Sequence, residues 1–244
     1  MLLQFNKSLL ILLILFAGFS FAQELEINPG ADIVSRYIWR GLNVNDAINV
    51  QPSLSLAVSG FSAGFWGSYS FSDKSSGNEF DQEIDTWIGY DFEFENGMSV
   101  GAIITDYYFS LAGIKWGNWN NYDNPEGAGA HIIEAGLSLS GPESFPITLS
   151  GYFNFYNDAG NNTYFQIDYS PTVAEIPLSF FIGAAGGSTD NPGYYGTEKL
   201  NVINVGIGAS KSVKVTEDYS IPVSVTFIIN PNAEISYLVF GLTF

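Results

Sequence analysis

The chain has 244 residues, of which 25 are acidic and 8 are basic, and its formal net charge at pH 7 is −17. A protein this acidic repels the phosphates of nucleic acids, so we expect no nucleic-acid partner. The chain contains no cysteine, which excludes disulfides, thiol chemistry and a lipoprotein anchor.

The first 22 residues have the three parts of a secretory signal peptide. Lys7 supplies the positive charge, residues 9–17 are apolar, and Ser20–Ala22 is a small-x-small cleavage site. The apolar part is shorter than the ~20 residues that a membrane-spanning helix needs. We therefore expect residues 1–22 to be removed and residues 23–244 to form one exported domain. The alternative is a retained amino-terminal anchor.

After the signal, apolar and polar residues alternate in short runs. A period of two is the pattern of a strand whose two faces meet different surroundings. The sequence predicts twelve strands, at residues 30–40, 49–58, 61–72, 82–94, 98–109, 131–140, 146–156, 163–170, 177–185, 200–210, 219–229 and 234–244. The last strand ends on Phe244, and its apolar face is typical of the final strand of an outer-membrane barrel.

These features predict an all-β fold, a transmembrane antiparallel up-and-down β-barrel of about twelve strands. An even strand number and longer loops after odd strands, at residues 110–130 and 186–199, place both termini in the periplasm. We expect the bacterial outer membrane of a Gram-negative cell as the location, with membrane lipid around the barrel. The barrel-assembly machinery is the expected partner of the strand that ends at Phe244.

Charged residues in the predicted strands share one face of the alternation. The apolar residues on the other face, such as Ile88, Leu137 and Ile203, are expected to face lipid. An Arg or Lys on the lipid face would cost about 2–4 kcal/mol, so the charged face is assigned to the lumen. The candidates for a lumen or constriction site are Asp32, Arg36, Arg40, Glu83, Asp85, Asp91, Glu93, Glu134 and Asp168.

Seven of these candidates are acids and two are arginines, so the lumen is expected to favour cations. The alternative for Arg36 and Arg40 is an internal salt-bridge network that holds the barrel's shape. Asp106 is an exception to this pattern, because its position in the alternation assigns it to the lipid-facing side of its strand. Either a bulge near the external rim or a wrong register would account for it.

The width of the pore depends on the inward residues that fill it. Aromatic side chains are expected to point inward at Trp66, Trp87, Tyr107, Tyr152, Tyr164, Phe181 and Tyr237. Glycines at inward positions, such as Gly136, Gly183 and Gly206, are expected to leave space. Together they predict a narrow, off-centre passage rather than a wide pore.

The segment from Asp32 to Gly41, followed by Gln51-Pro52 and by residues 63–68, resembles the TorF-type porin family of bacterial outer-membrane β-barrel proteins. The resemblance continues through Glu83 and Asp85 and is strongest over residues 30–95. It implies an outer-membrane barrel with a porin-like function.

The predicted loop at residues 110–130 carries Trp116, Trp119 and Tyr122 among amide side chains. Aromatic rings beside amides could bind a sugar, or the loop could fold inward as a constriction. The alternative is an ordinary surface loop.

No catalytic, metal or cofactor signature stands out. His131 is the single histidine, and no His-x-Ser motif is present, so we expect no enzymatic activity, metal or cofactor. The predicted function is a narrow, cation-preferring outer-membrane channel for small solutes. The alternative is a closed barrel with a structural or a ligand- or partner-binding role, and an outer-membrane enzyme is the third and least favoured hypothesis.

Overall fold

The computed structural model describes residues 25–71, 81–187 and 193–244, so the expected signal peptide lies outside the described residues. The strands are β1 (Glu26–Val34), β2 (Tyr37–Trp39), β3 (Leu42–Asn45), β4 (Asn49–Val58), β5 (Phe61–Ser70), β6 (Gln82–Glu93), β7 (Ser99–Phe109), β8 (His131–Ser140), β9 (Ile147–Tyr156), β10 (Thr163–Tyr169), β11 (Thr172–Val173), β12 (Ile176–Gly186), β13 (Asn201–Lys214), β14 (Ser220–Asn230) and β15 (Ile235–Thr243). In this part of the chain, no helix is long and apolar enough to cross a lipid bilayer.

Twelve of these strands close into an antiparallel barrel. Each wall strand pairs with the next one along the chain, from β1 through β4 to β15, apart from the two-residue β11 in the turn before β12. The ring closes where β15 pairs with β1. The predicted fold class, a twelve-stranded up-and-down barrel, is confirmed.

The outside of the barrel is apolar, and several large side chains on it are strongly exposed. Ile88 is 64% exposed, Leu137 66% and Phe240 56%. The pattern repeats around the wall at Ile27, Leu56, Phe65, Phe153, Ile167, Ile207, Phe227 and Leu238. A continuous belt of this kind is unfavourable in water and matches the lipid-facing band of a membrane barrel.

The first predicted strand, residues 30–40, is wrong in its second half. The wall strand β1 ends at Val34, and the chain bends at Ser35 and Arg36 before it forms the β2–β3 hairpin. We call residues 37–45 the plug hairpin. The period-two alternation runs without interruption through Tyr37 and Trp39, so it could not separate wall from hairpin.

The plug hairpin turns through Arg40 and Gly41, whose φ values are 50° and 79°. Two successive positive φ values between paired residues define the type I′ turn that suits a two-residue hairpin. Gly41 is also required for space, since a Cβ there would lie 2.0 Å from the carbonyl oxygen of Ile203. The tip therefore sits directly against the opposite wall.

The plug hairpin crosses the lumen at the end of the barrel that carries the long loops, which we call the loop end. The Tyr37 ring packs on Trp66 of β5 with 5.4 Å between centroids. Asn230 at the end of β14 donates a hydrogen bond from Nδ2 to the Gly41 carbonyl, at 3.0 Å. The hairpin thus reaches from β5 across to β14 and fills this part of the lumen.

A second segment enters the lumen beside the hairpin. Tyr195, in the connection between β12 and β13, stacks on Trp39 with 5.7 Å between centroids. It forms a buried cluster with Tyr164, Ala185 and Ile203. A β-bulge between β12 and β13 leaves Ile203 without a pairing partner, and Ile203 is fully buried in this cluster rather than facing lipid as its sequence parity predicts.

The inward glycines do not leave the space that the sequence predicted. A Cβ built on Gly206 would lie 2.1 Å from the ring of Phe181, and one on Gly136 would lie 2.7 Å from the ring of Tyr152. At Gly183 the hydroxyl of Tyr164 occupies the same place, at 2.1 Å. Aromatic rings from neighbouring strands lie over these glycines, so the off-centre passage expected there is filled.

The junction of β1 and β15 is the shortest pairing in the wall apart from the β11 turn. It has three register pairs, whereas β13 and β14 have ten. Ser35 extends it by donating its N–H to the Phe240 carbonyl at 2.9 Å and by accepting the Phe240 N–H at its Oγ at 3.0 Å. The chain leaves the wall for the plug hairpin directly after this contact.

Candidate functional site in the lumen

Arg40 lies at the centre of the filled part of the lumen. Its guanidinium donates hydrogen bonds to both carboxylate oxygens of Glu134 on β8, at 2.6 and 2.8 Å. The side chains of Arg40 and Glu134 are only 11% and 4% exposed. Tyr107 of β7 also donates its hydroxyl to Glu134, at 2.8 Å. This paired geometry agrees with the salt-bridge alternative for Arg40, but Arg40 lies on the hairpin and not on the wall.

Aromatic rings cover the rest of the guanidinium. Its central carbon lies 4.4 Å from the ring of Trp39, 4.2 Å from Tyr152 and 4.7 Å from Tyr164, distances at which cation–π attraction acts. Tyr195 accepts a hydrogen bond from Arg40 at 2.8 Å. Burial raises the pKa of the Tyr195 phenol well above its usual value, so the phenol stays neutral. The cation is therefore largely surrounded by an acid and by aromatic rings.

Arg36 does not join this site. It lies at the base of the plug hairpin and pairs with Asp46 at 3.4 Å. Their side chains are 34% and 70% exposed, so this pair is at the surface of the loop end. Arg36 is not on the wall strand that was predicted for it, because β1 ends two residues before it.

Glu83 and Asp85 of β6 are buried beneath the plug hairpin. They are 3% and 8% exposed, and Glu83 is hydrogen-bonded to the Tyr37 hydroxyl. Among the described residues, Glu83 Oε2 and Asp85 Oδ1 have no hydrogen-bond partner. These two acids therefore belong to the contact between hairpin and wall and do not line open water.

Three of the other four predicted acids, Asp91, Glu93 and Asp168, lie towards the end of the barrel that carries the chain termini, which we call the termini end. Asp32 lies in the second half of β1, two residues before Val34. Asp91 and Glu93 are exposed at the end of strand β6, whereas Asp32 and Asp168 are half-buried. Asp168 accepts a hydrogen bond from Gln166 Nε2 at 2.8 Å. The predicted lumen residues thus separate into a buried group at the hairpin and a wetter group at the termini end.

A cavity of about 270 Å³ lies next to the tip of the plug hairpin. Ile38 and Arg40 of the hairpin border it, and Tyr152, Tyr164 and Phe181 line it from the wall. Asn204 of β13 completes the polar part of the lining and is 5% exposed. No sequence motif marks Asn204 as a site residue, because its position in the site depends on a neighbouring strand and on the hairpin.

The loop at residues 110–130 lies on the outside of the barrel, so the inward-folding hypothesis for it is wrong. Trp119 stacks on His131 with 3.6 Å between centroids, and Trp116 packs edge-on at 4.6 Å. Trp116 and Trp119 are still 46% and 50% exposed, and Tyr122 is 44% exposed. Of the hypotheses for this loop, the ordinary surface loop agrees with this placement.

The contact beneath this loop explains Asp106. The pairing of β7 with both neighbours is regular, without a bulge, so Asp106 does face outward. Its carboxylate lies 2.9 Å from His131 Nδ1, and the Trp116 carbonyl lies 2.6 Å from Nε2. Asp106 is therefore an outward acid that contacts His131 beneath a loop. The pairing of β7 shows neither a bulge nor a different register at this position.

His131 was the one histidine that could have served a catalytic or a metal site. His131 is fully buried, and both its ring nitrogens are engaged, so no nitrogen is free for a substrate. No group of three or more His, Cys, Asp or Glu side chains in residues 25–71, 81–187 and 193–244 could hold a metal ion.

Comparison with protein families gives one match, over residues 22–235, to the family described as "Bacterial protein of unknown function (Gcw_chp)". The chain belongs to the Gcw_chp family. This description names no activity, and the TorF-type resemblance of this Gcw_chp chain stays a prediction. No curated protein matches the chain.

Among solved structures, the Gcw_chp chain is similar to Salmonella typhi OmpF in complex with daunomycin. The identity is 7%, the match covers 90% of this chain and 97% of the OmpF chain, and the TM-score is 0.38. Similarity at this level carries no argument about function, and the barrel itself is established by its own strand pairing.

Proposed function

We propose that this Gcw_chp protein is an outer-membrane channel for small solutes, narrowed by its plug hairpin and selective for cations. The apolar belt supports a membrane location, and the closed antiparallel wall supports the outer membrane. We place the chain termini, and with them the termini end of the barrel, in the periplasm. The strand that ends at Phe244 would then be recognised by the barrel-assembly machinery.

The observation that carries the proposal is the contrast between the two ends of the lumen. The plug hairpin and Tyr195 fill the loop end, whereas serines such as Ser53, Ser138 and Ser179 share the inward register towards the termini end. A lining of small, polar side chains is typical of a water-filled vestibule. Solute passage then requires displacement of the hairpin, because the hairpin lies across the route.

Cation preference rests on the acids of this vestibule. Asp91, Glu93 and Asp168 lie on inward parity at this end, and the charge of Arg40 is balanced by Glu134. Low-dielectric walls focus such a field, which raises the local concentration of cations.

Ion selectivity in planar bilayers tests the proposal. We expect the reversal potential of the wild type in a KCl gradient to indicate cation preference, and the Asp91→Asn/Glu93→Gln double variant to weaken it. Glu143→Gln/Glu175→Gln is the matched control, because it removes two exposed acids from turns at the same end of the barrel. Anion selectivity, no conductance, or equal shifts in both double variants would contradict the proposal.

The proposed function includes no enzymatic step. The buried, doubly engaged His131 supports this, since a general base needs a free nitrogen within reach of its substrate. The alternative of a closed, ligand-binding barrel is favoured by a different observation, the cavity at the hairpin tip.

A further inference from the structure

We propose that the cavity at the hairpin tip is a binding site for a small, uncharged, hydroxylated solute of the size of a monosaccharide. The inference deepens the proposed function, because it names the class of solute that would pause in the lumen. The inference depends on the proposed function in one respect, namely that the solute reaches the cavity through the lumen.

The first argument is a buried acceptor that the protein leaves unused. Among the described residues, Asn204 Oδ1 accepts no hydrogen bond although Asn204 is 5% exposed. Burial without a partner costs about 1–3 kcal/mol, and native proteins rarely leave such groups unsatisfied. A ligand that donates an O–H or N–H to Asn204 would satisfy this acceptor.

A chain of hydrogen bonds fixes the orientation of this acceptor. The Asp168 carboxylate can only accept, so Gln166 must present Nε2 to Asp168 and Oε1 to its other neighbours. Gln166 Oε1 accepts from the Tyr164 hydroxyl and, at 3.2 Å, from Asn204 Nδ2. Asn204 Nδ2 also donates to Tyr164, at 2.8 Å. Both donor directions of the Asn204 amide are therefore used within the network, and its buried oxygen is the atom that is left without a donor.

The charges around the cavity argue for an uncharged ligand. A cation would gain nothing from the Arg40 guanidinium, which borders the cavity and is paired with Glu134. An anion would find that guanidinium already bound to both oxygens of Glu134 and would face the acceptor oxygen of Asn204. Hydroxyl groups can donate to Asn204 without carrying charge into this buried region.

The remaining walls suit the apolar faces of a sugar ring. Tyr152, Tyr164 and Phe181 present aromatic surfaces, and Ile38 and Ile228 add aliphatic ones. Such a site, mostly apolar with a few placed polar groups, is the usual composition of a small-molecule pocket. The volume of about 270 Å³ lies just below the ~300–1,000 Å³ of pockets for drug-sized ligands, which fits a single-ring solute.

The test is calorimetric titration of the full mature protein, folded in detergent micelles, with glucose, glucosamine and glucuronate. These probes share one ring size and differ in charge, and galactose and mannose extend the neutral set. We expect at least one neutral hexose to bind about tenfold or more tightly than the cationic and anionic probes. Equal heats for all probes, or none for any hexose, would overturn the inference.

Two variants locate the binding. Asn204→Leu removes the acceptor and should weaken hexose binding about tenfold, whereas Ile228→Phe fills the cavity without changing a polar group and should abolish binding. Gln51→Leu is the control, because Gln51 is a buried lumen amide bonded to Ser68 and lies outside the cavity lining. If Asn204→Leu does not fold, hexose binding by Ile228→Phe alone decides whether the cavity is the binding site.

Unchanged binding in every folded cavity variant would place the hexose elsewhere and overturn the inference. So would a hexose-soaked crystal structure with only water at Asn204 Oδ1. Binding in micelles requires no conductance, so hexose binding without ion current would contradict the channel alone. Ion current without hexose binding would contradict the site alone.

Discussion

Arg40 and Glu134 are 94 positions apart in the chain, and they meet in two hydrogen bonds inside the barrel. The contact joins the tip of the plug hairpin to strand β8 of the wall. Because both groups are buried, their attraction is screened little by solvent. Removing one partner of a buried pair leaves an uncompensated charge, which typically costs about 3–5 kcal/mol.

Glu134→Gln should release the plug hairpin. The substitution preserves the shape of the side chain but leaves the Arg40 guanidinium buried without a counter-ion, so the inserted hairpin loses about 3–5 kcal/mol. Single-channel recordings should show a larger conductance or a higher open fraction than the wild type.

The control for this prediction is Asp46→Asn. It breaks the pair between Asp46 and Arg36 at the base of the same hairpin, but that pair is largely exposed and is worth at most about 1 kcal/mol. Its conductance should equal that of the wild type. If both variants conduct alike, the buried pair does not hold the hairpin in place.

Gly206→Ala should destabilise the barrel. The added Cβ would lie 2.1 Å from the ring of Phe181, and overpacking of this kind typically costs about 1–3 kcal/mol. Urea unfolding in detergent should give a lower midpoint, which Phe181→Leu in the same chain should restore in part. Gly117→Ala is the control, because no atom lies within 4 Å of its added Cβ. Equal midpoints for the wild type and Gly206→Ala would contradict the close packing.

Asp106→Asn should loosen the loop at residues 110–130. The variant removes the carboxylate that meets His131 Nδ1, and the stacking of Trp119 on His131 depends on that ring's position. Trypsin should cleave faster after Lys115, which lies in this loop. Asp123→Asn changes the same charge at an exposed position of the loop and should leave the cleavage rate unchanged. Equal rates for both variants would show that Asp106 does not hold the loop.

The wall of the barrel could be predicted because one physical rule acts on every strand. Lipid on one side and polar lumen on the other impose a period of two, and eleven predicted strands overlap the observed wall strands within a few residues. The rule failed after Val34, where Tyr37 and Trp39 keep the alternation although they lie in the plug hairpin. Alternation of apolar and polar residues indicates only that the two faces of a strand have different surroundings. A hairpin packed inside a lumen also has two different faces.

The filling of the lumen could not be predicted from single strands. Gly136 and Gly206 suggested open space, but whether space remains depends on rings on the neighbouring strand, such as Phe181. The inward turn of Ile203 depends on a bulge that no local residue pattern marks. Asp106 was recognised as an exception, yet its partner His131 and the loop above it are set by tertiary structure alone.

Ser35 has a mechanical role that follows from its position. It is the last residue that the first wall strand shares with β15, through Phe240, and it is also the root of the plug hairpin. A pull on the hairpin is therefore transmitted directly to the shortest ladder in the wall. Axial withdrawal of the hairpin and sideways separation of β1 from β15 would therefore strain the same few hydrogen bonds, so movement of the hairpin and opening of the wall at this junction are mechanically linked.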